Sequence, residues 1–245
     1  EDRSKLLHSD PAILWSESFH PEKSPGAVVI GPGATADDAR RYMEMAAEPL
    51  LKIWKDATGS DDSVRAPKTS PNSAANLQQR QRRTDQVGGQ SEDTAQHRTR
   101  ARTHLVLDAA ATWHIAEFES LQGSHAILTP HVGEWKKLGG DTIEDVASLE
   151  KAMQLASALQ CHVLYKSSIS IHLDPFRGQA RVYPWINPSL SVAGSGDCLA
   201  GILAASLCRT SDVTEAIATA MELLHAATGS LIHPESSHFP DAIRG

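Results

Sequence analysis

Several things are scarce in this sequence. There are three cysteines in 245 residues (Cys161, Cys198 and Cys208), with no Cys-x-x-Cys and no paired framework. That scarcity excludes a disulfide scaffold and points to a reducing compartment inside the cell, read as the cytoplasm with the mitochondrion as the alternative. No apolar run approaches the about 18 residues of a membrane helix, and no secretory signal pattern is visible. Basic charge is also short: 23 Lys and Arg face 30 Asp and Glu, for a formal charge of −7. A general binder of nucleic acid or of membrane surfaces needs a basic face to meet phosphates, so neither partner is expected. The histidines show no metal-ligand spacing such as His-Glu-x-x-His, so no protein-built metal site is expected.

What is present is unevenly spread. Apolar residues make up 40% of the chain. Residues 56–104 contain no Phe, Trp, Tyr, Ile or Met, and carry eight basic and six acidic side chains among Ser, Thr, Gln and Asn. Such a tract cannot bury enough apolar surface to offset its ordering entropy, so it is expected to be a disordered, low-complexity insertion within one domain spanning 1–245. A basic nucleic-acid arm is the sharper alternative. The interspersed acids, and the absence of aromatics on which bases could stack, disfavour it.

The remainder alternates strands with helices. Short apolar runs at 27–30, 104–107, 125–128 and 161–165 read as strands, and stretches near 36–54, 142–159 and 197–207 as helices. Another helix is expected from Asp212, where Asp212-x-x-Glu215 has the form of a capping box, with Gly229 as its stop. Segments 169–173 and 180–183 flank Asp174-Pro175-Phe176-Arg177-Gly178 and predict a hairpin. This order implies an α/β domain: a mostly parallel sheet covered by helices on both faces, with a small antiparallel addition.

Open α/β sheets bind ligands beyond the carboxyl ends of their strands, and four features fall there. Gly31-Pro32-Gly33 follows the first strand and by itself marks only a tight turn. Thr129-Pro130-His131-Val132-Gly133-Glu134 follows the third, where a lone His is usually structural. Lys166, Ser167, Ser168, Ile169 and Ser170 follow the fourth, placing a cation and hydroxyls where phosphate or nucleotide could sit, although any one of them could simply be solvated. Ala193-Gly194-Ser195-Gly196-Asp197 opens a helix rich in small residues, where glycines let backbone N–H groups approach an anion and the helix end adds positive partial charge. Asp197 is either a helix-end cap or a general base reaching a substrate hydroxyl beside bound phosphates. No Gly-Lys-Ser/Thr follows, so this is not a P-loop. Cys198 reads as a small packing residue.

In this order, with Leu-Asp-Ala at 107–109 and Asn187-Pro188 ahead of Gly194–Asp197, the motifs resemble the ADP- or ATP-dependent NAD(P)H-hydrate dehydratase family of the ribokinase-like superfamily. The resemblance implies a ribokinase-like three-layer sandwich. It also implies dehydration of hydrated NADH and NADPH at the expense of ADP or ATP with Mg²⁺, by phosphorylating the hydrate hydroxyl and eliminating phosphate. It places Gly33, His131 and Asp197 at the hydrate, and Lys166, Ser167, Ser168, Ile169, Ser170, Gly194, Ser195 and Gly196 at the nucleotide, with Asp197 catalytic. It further implies an NAD(P)H-hydrate epimerase as functional partner and assembly into homo-oligomers.

The departures from that pattern are specific. Asp-Ala-Asp-Ala-Leu-Asn is replaced by Asp108-Ala109-Ala110-Ala111-Thr112-Trp113, and Lys-Gly by Lys166-Ser167. The family's N-terminal strand–loop–helix is not found in residues 1–26, and the chain opens at Glu1, so a truncated or processed form is expected. Two other functions remain open: a kinase of the same superfamily acting on a heterocycle or sugar, and a catalytically impaired nucleotide-binding homologue.

Overall fold

The computed structural model describes residues 26–58, 103–186 and 192–229. A six-stranded sheet runs in sequence order: β1 (Ala27–Ile30), β2 (His104–Leu107), β3 (Ala126–Leu128), β4 (His162–Tyr165), β5 (Ser170–Asp174) and β6 (Gln179–Tyr183). The first four strands are parallel, with Val29 beside Val106 and Leu107 beside Leu128; β5 and β6 are antiparallel additions. The helices are α1 (Ala36–Thr58), α2 (Ala111–His114), α3 (Val132–Lys137), α4 (Val146–Leu159), α5 (Ser195–Leu207) and α6 (Val213–Gly229).

Period-two alternation divides the strand side chains between two cores, because successive residues of a strand point to opposite faces. Leu105, Leu107, Leu128, Val163, Tyr165 and Leu173 pack with α1–α4. Val106, Ile127, Leu164 and Tyr183 pack with α5 and α6. With both faces covered, β2, β3 and β4 are wholly buried, which is why they read as unbroken apolar runs. The expected three-layer α/β architecture and hairpin are therefore present.

Several boundaries shift, for local reasons. The helix expected near 142 starts at Val146, because Asp145 caps it by accepting from Ser148 N at 2.7 Å. At α6, Asp212 Oδ1 accepts from Thr214 N at 2.9 Å, but no reciprocal capping box forms. Glu215 instead accepts from Thr210 Oγ1 at 2.8 Å, and that same hydroxyl receives Asp212 N at 3.2 Å.

The edges of the 56–104 tract are also corrected. Asp56–Thr58 continue α1, and His104 opens β2. Trp54 Nε1 donates to Thr103 O at 2.8 Å, tying the end of α1 to the start of β2 across 49 positions. The tract between them lies outside the described residues, as do Asn187-Pro188, the possible strand at 9–15 and the tail beyond 229. Among the described residues, no helix is long and apolar enough to cross a membrane.

Candidate functional site

At the carboxyl edge of the parallel strands the sheet brings four loops together. Asp108 follows β2 directly, its N–H donating to Ile30 O at 3.0 Å. Gly31, at φ +123°, passes so near that a Cβ there would lie 1.8 Å from Asp108 O. Glycine is therefore required at this crossing, for lack of space as well as for the positive φ. Ala109 follows at φ +46°, a left-handed conformation that costs a non-glycine residue about 1 kcal/mol.

The loops after β3 and β4 are joined by a parallel bridge between His131 and Lys166, with Lys166 N donating to Pro130 O at 2.8 Å. That register sets the Lys166 side chain across β3 toward Asp108. Lys166 Nζ donates to Asp108 Oδ1 at 2.6 Å, and Thr129 Oγ1 donates to the same oxygen at 2.6 Å. The carboxylate is buried, while the ammonium keeps 19% of its side-chain surface. A carboxylate removed from water needs such partners, because an uncompensated buried charge costs several kcal/mol.

The fourth loop supplies the start of α5. The helix begins at Ser195, two residues earlier than the sequence suggests, with Gly194 as N-cap at φ +87°. Asp197 is thus not the capping residue; it sits half-buried in the first helical turn, where the dipole favours a carboxylate. A Cβ placed on Gly196 would lie 3.2 Å from Lys166 Nζ and 3.7 Å from Asp108 Oδ2. The first turn of α5, the ammonium and the carboxylate therefore meet at one point. A helix's first turn presents backbone N–H groups outward, so this point combines dipole, donors and a cation, the chemistry of a phosphate site.

His131 has a structural task. Its Nδ1 accepts from Gly133 N at 2.8 Å and from Glu134 N at 3.2 Å, while His131 N donates to Glu134 Oε2 at 2.8 Å, a complete capping box at α3. With Nδ1 accepting, the ring proton belongs on Nε2. A Cβ on Gly133 would meet the ring at 2.8 Å, which explains the His-x-Gly-Glu spacing by packing alone. The side chain is nonetheless 60% exposed and lies beside Lys166 in the bridge, with Nε2 3.4 Å from Glu134 Oε1 at the same edge.

The other expected residues are arranged around this centre. Gly33, exposed at φ +65°, lies in the neighbouring β1–α1 loop. Ser167 Oγ donates to Ile169 O at 2.6 Å, so its hydroxyl folds its own turn; Ser168 is exposed and Ser170 begins β5. Cys198 packs against the α5–α6 core, as expected. Burial pushes the Cys161 thiol up to about 12, which removes it as a nucleophile. Among the described residues no group of three or more His, Cys, Asp or Glu could hold a metal ion.

Sequence reasoning missed Asp108 and Thr129 as site residues. Asp108 stood out only as what remained of a substituted motif, although a carboxylate directly after a buried parallel strand lies at the edge where such sheets bind ligands.

A cavity of about 380 Å³ lies at the opposite pole, lined by His104, His125, His162, Asp174, Arg177 and Asp212 among others. It sits at the amino ends of β2 and β4, away from the edge where Lys166, Asp108 and the start of α5 meet.

The fold is a ribokinase-like three-layer α/β domain with the start of α5 at the carboxyl edge of its parallel strands. A ribokinase-like superfamily protein from Enterococcus faecalis matches with a TM-score of 0.57 over 89% of this chain and 61% of its own, at 18% identity. The ADP/ATP-dependent NAD(P)H-hydrate dehydratase of Bacillus subtilis, crystallised with ATP/Mg²⁺, matches with a TM-score of 0.56 over 93% of this chain and 65% of its own, at 20% identity. Residues 87–241 match the NAD(P)H-hydrate dehydratase family model, and the chain belongs to that family.

Curated relatives agree. The ADP-dependent (S)-NAD(P)H-hydrate dehydratase of Xanthomonas campestris is 32% identical over 127 residues, 51% of this chain and 43% of that protein. A bifunctional NAD(P)H-hydrate repair enzyme of Thermofilum pendens is 35% identical over 91 residues, 36% of this chain and 17% of that protein. The chain thus spans less than half the length of these relatives.

Proposed function

We infer that this protein dehydrates hydrated NADH or NADPH at the expense of ADP or ATP. The observation that carries the reading is the meeting of Lys166, Asp108 and Gly196 at the start of α5, in a chain of this family. In the proposed reaction the hydrate hydroxyl attacks the terminal phosphorus of the nucleotide and Asp197 takes the hydroxyl proton. The phosphorus–oxygen bond to the nucleotide breaks, and the shortened nucleotide leaves with the electron pair. Phosphorylation makes a good leaving group. Departure of phosphate with the carbon–oxygen pair, and of a proton from the adjacent carbon, restores the ring double bond.

The residues at this edge divide that work. The first turn of α5 and the Lys166 ammonium stabilise charge developing on the transferred phosphoryl group. His131, with its proton on Nε2, serves as a donor to the nicotinamide nucleotide, and Gly33 lines its pocket. Residues 166–170 and 194–196 cradle the nucleotide. Mg²⁺ would arrive on the nucleotide phosphates and neutralise their charge. Such an ion asks a protein for only one or two carboxylates, which fits an edge offering the half-buried Asp197 rather than a dedicated cage. A hydrate epimerase, in a separate protein or a fused domain, is the expected partner, and self-assembly is expected as well.

The test mixes purified protein with hydrated NADPH, Mg²⁺ and ADP or ATP, and follows recovery of absorbance at the NADPH maximum. Recovery dependent on the nucleotide is expected. No recovery with either nucleotide would sink the reading, and a stable phosphorylated product without recovery would identify a kinase.

A further inference from the structure

We propose that Asp108 is a positioning residue whose buried carboxylate, clamped by Thr129, aims the Lys166 ammonium at the first turn of α5, so that an incoming phosphate meets an oriented cation. The proposal rests on the nucleotide-binding part of the function proposed above.

Lysine is a compact point charge on a flexible stem, and left alone its ammonium samples many rotamers. Here that freedom is removed at both ends. The Lys166 backbone is fixed by its hydrogen bond to Pro130 O, and its ammonium by a 2.6 Å bond to Asp108. Asp108 is fixed in turn: its carboxylate is 3% exposed, and Oδ1 also accepts from Thr129 Oγ1 at 2.6 Å. Thr129 is itself fully buried, with a longer contact to Leu107 O at 3.3 Å. The result is a relay in which a buried hydroxyl holds a buried carboxylate, and the carboxylate holds a mostly buried cation.

The direction of the relay is set by Gly196. A Cβ here would lie 3.2 Å from the ammonium, so a side chain would displace it by a few tenths of an ångström. An ammonium has three donors. One is directed to Asp108, and the ammonium lies against Gly196 in the first turn of α5. Asp108 therefore acts through Lys166, at a cost in charge: it brings a negative group close to where phosphates would bind.

That cost gives the test a sign. In Asp108→Asn the carboxylate charge is gone, so nucleotide affinity is expected to hold or to tighten. The ammonium is no longer aimed, and a misplacement of about 1 Å is expected to lower kcat by about 10²-fold. A fold defect would weaken affinity and activity together. The loss should also vanish in a Lys166→Met background, where there is no ammonium to aim. Thr129→Val should repeat a weaker form of the defect, and Thr129→Ser, which keeps the hydroxyl, should restore activity.

Equal losses from Asp108→Asn with and without Lys166 would overturn the proposal, and would instead fit a direct role such as a share in Mg²⁺. Isothermal titration of ADP into wild type, Asp108→Asn, Lys166→Met and the double variant separates this proposal from the dehydratase reading. If the wild-type chain binds ADP but turns nothing over, the dehydratase reading falls and the relay is judged on affinity. Asp108→Asn must then change ADP affinity by a different factor with Lys166 present than in the Lys166→Met background, and equal factors overturn the relay. A wild-type chain that binds no ADP overturns the relay as well.

Discussion

Asp197 and Gly31 show how differently two residues of one edge can be constrained. Asp197 stands in the first turn of α5 beside the glycine that touches the Lys166–Asp108 pair. If it takes the hydroxyl proton, Asp197→Asn should lower turnover by about 10²–10⁴-fold, the usual range for a general base, with ADP affinity within a few-fold of wild type. Stopped-time assays beside calorimetric titration check both halves, and an active Asn variant would remove Asp197 from the mechanism. Gly31 is needed for shape. Gly31→Ala would drive a methyl into the Asp108 carbonyl at a φ that alanine avoids, so stability should fall by at least about 3 kcal/mol, read as a shifted urea midpoint. Of the two, only Asp197 was visible as a candidate base from its motif. The Gly31 crossing depends on a strand 77 positions away, which no local pattern records.

At the scale of elements, the β4–β5 pair carries a second buried polar group at the pole opposite the proposed site. His162 Nδ1 and His172 Nε2 lie 3.2 Å apart, with His162 Nδ1 3.9 Å from Asp174 Oδ1. Burial pushes both imidazoles down to about 4, the Asp174 charge opposing the shift, and Arg177 and the neighbouring imidazoles adding to it. The folded state therefore prefers them neutral. Their contribution is fully present above the ordinary histidine value and is lost as pH falls from about 6.5 toward 4. Between about pH 7 and 5 the protein should lose about 2 kcal/mol for one such group, seen in urea unfolding at the two pH values. His172→Gln should flatten that loss; an unchanged slope would refute the assignment. The hairpin beside this pair is pinned to α6, with Arg177 bridging Asp212 at 2.9 Å and Thr214 at 2.8 Å. Sequence indicated the hairpin, since its turn residues and alternation are local, but the histidine pair arises only when β4 and β5 align Leu164 with His172.

For the whole molecule, the sheet is the common support of both cores. Its carboxyl edge is completed by α5, which packs on the face opposite α1–α4. A ligand held between α5 and the loops after β2 and β4 therefore ties the two layers together. Anything that binds the native state and not the unfolded chain stabilises by mass action, about 2.7 kcal/mol at a hundredfold excess over Kd. ADP is accordingly expected to raise Tm in a concentration-dependent way, and the increase should shrink in Lys166→Met. A Tm indifferent to ADP would count against nucleotide binding at this edge.

The sequence by itself determined the six strands, the four longer helices, their alternation and the motifs at the strand ends. Buried parallel strands read as continuous apolar runs, amphipathic helices repeat every 3.6 residues, and glycine-rich helix starts are local signals. It also carried the family, because Thr129–Glu134 and Gly194–Asp197 keep their order and spacing. The tertiary structure alone decided which side chains meet. Asp108 and Lys166 are 58 positions apart, and their contact exists because parallel crossovers return every strand's carboxyl end to one edge. The same packing turned His131 into a helix cap and moved the start of α5 ahead of Asp197, since hydrogen bonds at helix ends depend on backbone geometry that spacing does not specify.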